Sequence, residues 1–139
     1  TLRNSSVSAL IRNNYLIFMI FIVGLLLRIY NIGAESIWYD EAISVAVAKL
    51  GFVEHLRWIA EVDDNNPPLY YTLLHLWIPV FGDSEASVRM LSAIFGSLSI
   101  LVIYALGKLL FDKKTGLVAA SILAVSIFNI MFSQEARAY

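Results

Sequence analysis

Long runs of residues without a formal charge set the first limit on this chain. A helix needs about 20 mainly apolar residues to cross a bilayer core roughly 30 Å thick. Three windows meet that requirement. The first runs from Asn13 to Ala34, interrupted only by Arg28; the second is Met90 to Gly107, between Arg89 and Lys108; the third is Thr115 to Gln134, between Lys114 and Glu135. A signal peptide is a poor reading of the first window, because no small-residue cleavage site follows a short apolar core. It reads as an anchor. Composition agrees: 59% of residues are hydrophobic and 15% charged, whereas soluble domains sit nearer 45–50% and about 25%. The expected fold class is therefore all-α and polytopic, with three transmembrane helices over about 13–34, 88–108 and 115–134.

Charge placement sets the expected orientation, since Lys and Arg near span ends favour the cytoplasm. Three spans put Arg3, Arg12, Lys108, Lys113 and Lys114 on one side with a single acid, Asp112; nearly all the other acids, from Glu35 to Glu85, fall opposite. This predicts a cytoplasmic N-terminus and a large extracytoplasmic loop over about 31–87. Within the loop, Ile43, Ala46, Val47 and Leu50 share one helical face after Asp40 as N-cap, ending at Gly51. Residues 52–62 form a second amphipathic segment, with Arg57 and Glu61 four apart. The stretch from Pro67 to Phe81 is too short to span and suits an interfacial or re-entrant helix opened by its prolines. Ser92 with Gly96, and Gly116 with Ala120, recur at a spacing that permits close helix approach, as well as being ordinary membrane-helix composition.

Several functions are excluded. A net charge of −1 leaves no basic excess for nucleic acid, and the absence of cysteine removes thiolate chemistry and disulfides. No Walker loop, Rossmann glycine pattern, serine elbow or HExxH is present. His55 and His75 fit no local metal motif.

Four clusters carry the remaining ionisable and polar groups, and all are predicted on one membrane face. Trp38-Tyr39-Asp40-Glu41 pairs two carboxylates, one able to act as general base or divalent-metal ligand while the other tunes it; helix capping is the alternative. Asp63-Asp64-Asn65-Asn66 precedes Tyr70 and Tyr71, offering amide and carboxylate oxygens beside aromatic faces, as sugar binding requires; an acidic turn before interfacial aromatics is the alternative. Glu85 and Arg89 lie four apart, and Ser133-Gln134-Glu135-Ala136-Arg137 closes the third window. Their arginines could hold a lipid phosphate through planar, bidentate bonds, or could pair locally and snorkel.

The ordered series WYDEA (38–42), NNPPLYYTLLHLW (65–77), FGDSEASVRMLSAIFG (81–96), GKLLFDKKTGLVAA (107–120) and SQEARAY (133–139) resembles the N-terminal part of GT-C type membrane glycosyltransferases. It is similar to bacterial and archaeal relatives of the protein O-mannosyltransferases and of the lipid A aminoarabinose transferase. The resemblance implies that residues 1–139 are the N-terminal portion of a single transmembrane domain in a bacterial or archaeal plasma membrane, inactive in isolation. It implies transfer of a sugar from a polyprenyl-phosphate-linked donor to an acceptor hydroxyl on a protein, lipid or glycan, outside the cell. Asp40 is then the expected catalytic base with Glu41 beside it, and Asn65, Asn66, Tyr70, Arg89, Glu135 and Arg137 are the expected substrate contacts. Relatives often carry Lys or His before the two prolines; Asn66 stands here, so the phosphate contact is assigned instead to Arg89 or Arg137. A divalent metal is an open option, and a non-catalytic scaffold or a transporter or flippase fragment is the competing reading.

Overall fold

A computed structural model describes residues 2–61 and 68–137. Seven helices follow in order: α1 (Leu2–Ile29), α2 (Tyr39–Ala48), α3 (Phe52–Glu61), α4 (Pro68–Phe81), α5 (Glu85–Leu110), α6 (Lys113–Ala124) and α7 (Ile127–Ser133). The described residues contain no strand, as an all-α chain requires.

Local chemistry fixes the ends. Ser84 caps α5 by accepting from the Ser87 N–H at 3.3 Å, and Asp112 caps α6 by accepting from the Thr115 N–H at 2.7 Å. Helix α4 runs past Pro79 to Phe81 and stops at Gly82, whose φ of 83° is a left-handed value that favours glycine. The expected cap at Asp40 is displaced by two residues. Trp38 occupies the N-cap position of α2, and Glu41 reaches back to accept from the Trp38 N–H at 3.0 Å. His55 and His75 both dock on the C-terminal carbonyls of α2, at 3.0 Å from Val47 O and 2.8 Å from Ala48 O, with their rings stacked 4.8 Å apart. Helix-end carbonyls lack intrahelical partners, and these imidazoles supply them.

The three expected spans resolve unequally. Only α5 is long and apolar enough by itself to cross a membrane. α6 and α7 meet the test together but are bent by 60° at Val125–Ser126. α1 has a non-helical residue, Asn14 (φ −124°, ψ 15°), and its apolar part, Asn14–Ile29, is shorter than a full span. Asparagine competes for its own backbone hydrogen bonds and is a weak helix former, which makes it a natural place for the interruption.

Several polar side chains lie inside beside the apolar core, and many large apolar ones lie outside. Arg28, Glu41, His55, Arg89, Ser97 and Ser133 are buried, while Phe18, Met19, Ile22, Phe95, Val102, Leu109 and Ile122 are exposed. Only 28% of the apolar window of α5 is buried, so this helix is not the core of a water-soluble bundle. Its outer face calls for lipid or further apolar helices.

Two clusters fill the interior at successive levels along α5. Val45, Ala48, Leu74, Val88, Leu91 and Ala136 join α2, α4 and α5 to the chain's last described turn; Ile17, Ile100, Ala120 and Ala124 join α1, α5 and α6. Small residues allow the closest approaches, as their spacing predicts. A Cβ placed on Gly116 would lie 2.6 Å from Tyr104 O and 2.9 Å from Lys108 N, both backbone atoms of α5.

Candidate active site

Neighbouring residues on a helix point about 100° apart, and this separates the two members of the Asp-Glu pair. Glu41 turns inward; its side chain is 2% exposed. Asp40 turns outward; its side chain is 51% exposed.

Glu41 meets Arg89 in a bidentate pair, Nε to Oε1 at 2.9 Å and the second guanidinium nitrogen to Oε2 at 2.7 Å. Its two oxygens also accept from the N–H groups of Trp38 and Ala136, at 3.0 and 2.8 Å. Arg89 directs its other donors to the carbonyls of Ile32 (3.0 Å), Glu35 (2.8 Å) and Ser36 (3.2 Å). All five guanidinium N–H donors are thereby engaged. Burial pushes the Glu41 carboxyl upward, but the hydrogen bonds from Arg89, Ala136 and Trp38 outweigh it and hold the group below its ordinary value. Arg89 meets Glu41 rather than Glu85, and it also borders a polar hollow with Glu35, Gln134 and Glu135; each Glu41 oxygen accepts two hydrogen bonds. Together they clasp residues 32–41, α5 and residue 136.

The SQEAR segment completes the site. Its Gln134 amide caps the end of α1, reaching the carbonyls of Arg28 at 3.2 Å and Tyr30 at 3.0 Å. Ala136 N–H is fixed on Glu41, and the next residue, Arg137, places a guanidinium nitrogen 3.0 Å from Asp40 Oδ2. Arg137 borders two hollows. One, of about 210 Å³, is lined by Trp38, Asp40, Glu41, Glu135 and Arg137. The other, about 420 Å³, is mainly apolar and is formed by Leu69, Tyr70, Leu73, Ser92, Phe95, Gly96, Asn129, Phe132, Ser133 and Arg137. Arg137 is therefore the hinge between an acidic recess and an apolar cleft.

The structure thus brings together Asp40, Glu135 and Arg137, with Tyr70 in the adjoining cleft. Tyr70 Oη lies 3.0 Å from Ser92 Oγ; burial first, then the nearby Glu41 charge, push its phenol up to about 12 against the opposing effect of that hydrogen bond. Asn65 and Asn66 lie outside the described residues. Among the described residues, no group of three or more His, Asp and Glu side chains converges as a set of metal ligands.

Sequence reasoning missed Arg28 and Asn129. Arg28 is wholly buried, and its donors reach Gly24 O (2.8 Å), Ala124 O (3.1 Å), Leu123 O (3.1 Å) and Asn129 Oδ1, to which Nε lies at 3.2 Å. Leu123 and Ala124 are the end of α6, where the helix breaks; Leu123 O also accepts from the Ser126 N–H at 3.3 Å, and Arg28 adds a donor to both carbonyls. Two polar residues inside otherwise apolar windows were the available signal, because such residues are rarely placed there without a role.

Residues 65–137, just over half of the chain, match the family model of dolichyl-phosphate-mannose-protein mannosyltransferases. The chain belongs to this family. That family is described by transfer of mannose from dolichyl phosphate to protein. An uncharacterized protein of Aquifex aeolicus (strain VF5) is 25% identical over 118 residues, covering 81% of this chain and 24% of that protein. The chain thus spans about a quarter of the length of that relative. No solved structure matches it.

Proposed function

We propose that the complete protein transfers a sugar from a polyprenyl-phosphate-linked donor to an acceptor hydroxyl at the extracytoplasmic face, with Asp40 as general base. One observation carries this reading: the exposed Asp40 carboxylate is joined by Arg137 to a mainly apolar cleft bordered by α4, α5 and α7. An isoprenoid phosphate has the matching character, an apolar chain ending in an anion. The family membership supports the same donor class.

In the proposed reaction the acceptor oxygen attacks the anomeric carbon while Asp40 Oδ removes its proton. The bond from that carbon to the carrier phosphate oxygen breaks, and the phosphate leaves with the electron pair. Base assistance of this kind contributes roughly a hundred- to ten-thousand-fold. Arg137 shifts from Asp40 to the departing phosphate, whose charge grows in the transition state. Glu41 and Arg89 act as positioning residues, since they fix both the start of α2 and Ala136. Asn65, Asn66 and Glu135 are proposed contacts to the sugar. Topologically, α1, α5 and the bent α6–α7 pair make three passes, with α2–α4 on the outer surface.

The test is Asp40→Asn in the complete protein, assayed in membranes with radiolabelled polyprenyl-phosphate sugar. Transfer should fall at least about a hundredfold with carrier binding retained. Undiminished transfer would remove Asp40 from the reaction.

A further inference from the structure

Arg28 holds a positive charge inside the protein with no carboxylate on it. Its partners are three backbone carbonyls and one side chain, Asn129. A buried guanidinium is ordinarily paired with an acid, yet none of the ion pairs among the described residues includes Arg28. Its position is equally specific. A Cβ built on Gly96 would lie 3.4 Å from Arg28 Nε and 2.8 Å from Ser133 Cβ. Gly96, Ser133 and Asn129 all line the 420 Å³ cleft. The uncompensated charge therefore stands directly behind the cleft's polar wall.

The hydrogen bonds also settle which way the Asn129 amide is turned. Two guanidinium nitrogens, which can only donate, converge on Oδ1. The amide nitrogen, also only a donor, must face away from them, and Asn129 is a half-buried residue of the cleft wall. Of the hydroxyls in the cleft, Ser133 Oγ donates to the Asn129 carbonyl and those of Tyr70 and Ser92 bond to each other, which leaves the Asn129 amide N–H groups among the donors of the cleft together with the Arg137 guanidinium.

We infer that Asn129 is a ligand-binding residue of the apolar cleft, donating from Nδ2 to an oxygen of the carrier lipid's phosphate, and that Arg28 is its positioning residue. The inference rests on the donor class proposed above. The buried charge makes an anion the favoured partner, and Leu69, Leu73 and Phe95 require that the anion carry an apolar chain. Arg28 contributes twice: it locks the amide with its donors toward the cleft, and it adds a positive potential that water screens poorly at this depth.

Asn129→Asp separates this role from a structural one. A carboxylate keeps the side chain's shape and makes a stronger bond to Arg28, but neutralises the buried charge and presents no donor to the cleft. The complete protein, in nanodiscs, is titrated with polyprenyl phosphate and with polyprenol. The wild type should prefer the phosphate, and Asn129→Asp should lower that preference at least about tenfold while leaving polyprenol affinity unchanged. Retention of the wild-type preference by Asn129→Asp overturns the inference alone. A wild type without any preference overturns the proposed donor and this inference with it. Inorganic phosphate at millimolar concentration should not compete; full competition would mark a free-phosphate site and overturn the lipid assignment. Asn129→Ala, which also lacks the donor, gives the same ratio should the aspartate variant fail to accumulate.

Discussion

Replacing Glu41 by Gln keeps the side chain's shape and removes its charge, so the clasp at α2 can be measured in isolation. The carboxylate accepts four hydrogen bonds, two from Arg89 and one each from the N–H groups of Trp38 and Ala136. A glutamine has one acceptor oxygen. Its amide nitrogen must then face two of the four donors, and Arg89, 4% exposed, keeps its carbonyl partners but no counter-charge. Removing one partner of a buried pair costs about 3–5 kcal/mol, a large share of the roughly 5–15 kcal/mol by which folded domains are stable. Arg89→Met should cost a similar amount. The double variant should cost less than the sum by about 2–3 kcal/mol, because the second change removes the orphan left by the first. Reversible unfolding of the complete protein in mixed micelles, followed by tryptophan fluorescence, reads all three. The sign of the pH dependence follows from the lowered folded pKa. The contribution is full above the ordinary value of 4.5 and is lost as pH falls through the folded value. Glu41→Gln should lose this acid-side share of the pH dependence. A single-variant cost under about 1 kcal/mol, or strictly additive variants, would refute the clasp as a stabilising element.

Two further outcomes follow from the geometry. Gly116→Ala would press a Cβ against Tyr104 O and Lys108 N, both backbone, so α5 and α6 must separate; a cost of about 1–3 kcal/mol is expected in the same micelle assay, and an unchanged midpoint would contradict the contact. The Tyr70 phenol is favoured in its neutral form up to about 12. Its contribution is present below about pH 10 and lost as pH rises through 12, so an alkaline fluorescence titration of Tyr70→Phe should lack that loss, and identical titrations would exclude it.

Helix positions in the outer loop were legible in the sequence because short-range rules govern them. Gly51, between α2 and α3, and Pro68, which opens α4, mark ends through rules that act within a few residues. The grouping of Asp40 with Arg137 was legible from topology, which set both at one end of their windows. Two things were not legible. The division of Asp40 from Glu41 depends on which side of α2 packs against α5, a tertiary matter that two adjacent letters do not encode. Arg89 was expected to contact the carrier phosphate, with a local pair to Glu85 as the alternative; of the two acids it is Glu41 that it meets, because that buried site satisfies every guanidinium donor. Hydropathy also hid the interruption of the third window. Val125 and Ser126 are unremarkable by composition, and the break becomes intelligible only once Arg28 is seen on the carbonyls of Leu123 and Ala124.

That break determines where residues 134–137 arrive. Helix α7 has seven residues, about 10 Å of axis. Leaving α6 at 60° carries its far end sideways by roughly 9 Å at 1.5 Å per residue. A straight continuation would deliver residues 134–137 to a different point, out of reach of α2. The elbow thus works as a crane, swinging one arginine over the carboxylate it serves, and any substitution that straightened it would dismantle the site without touching a single residue in it.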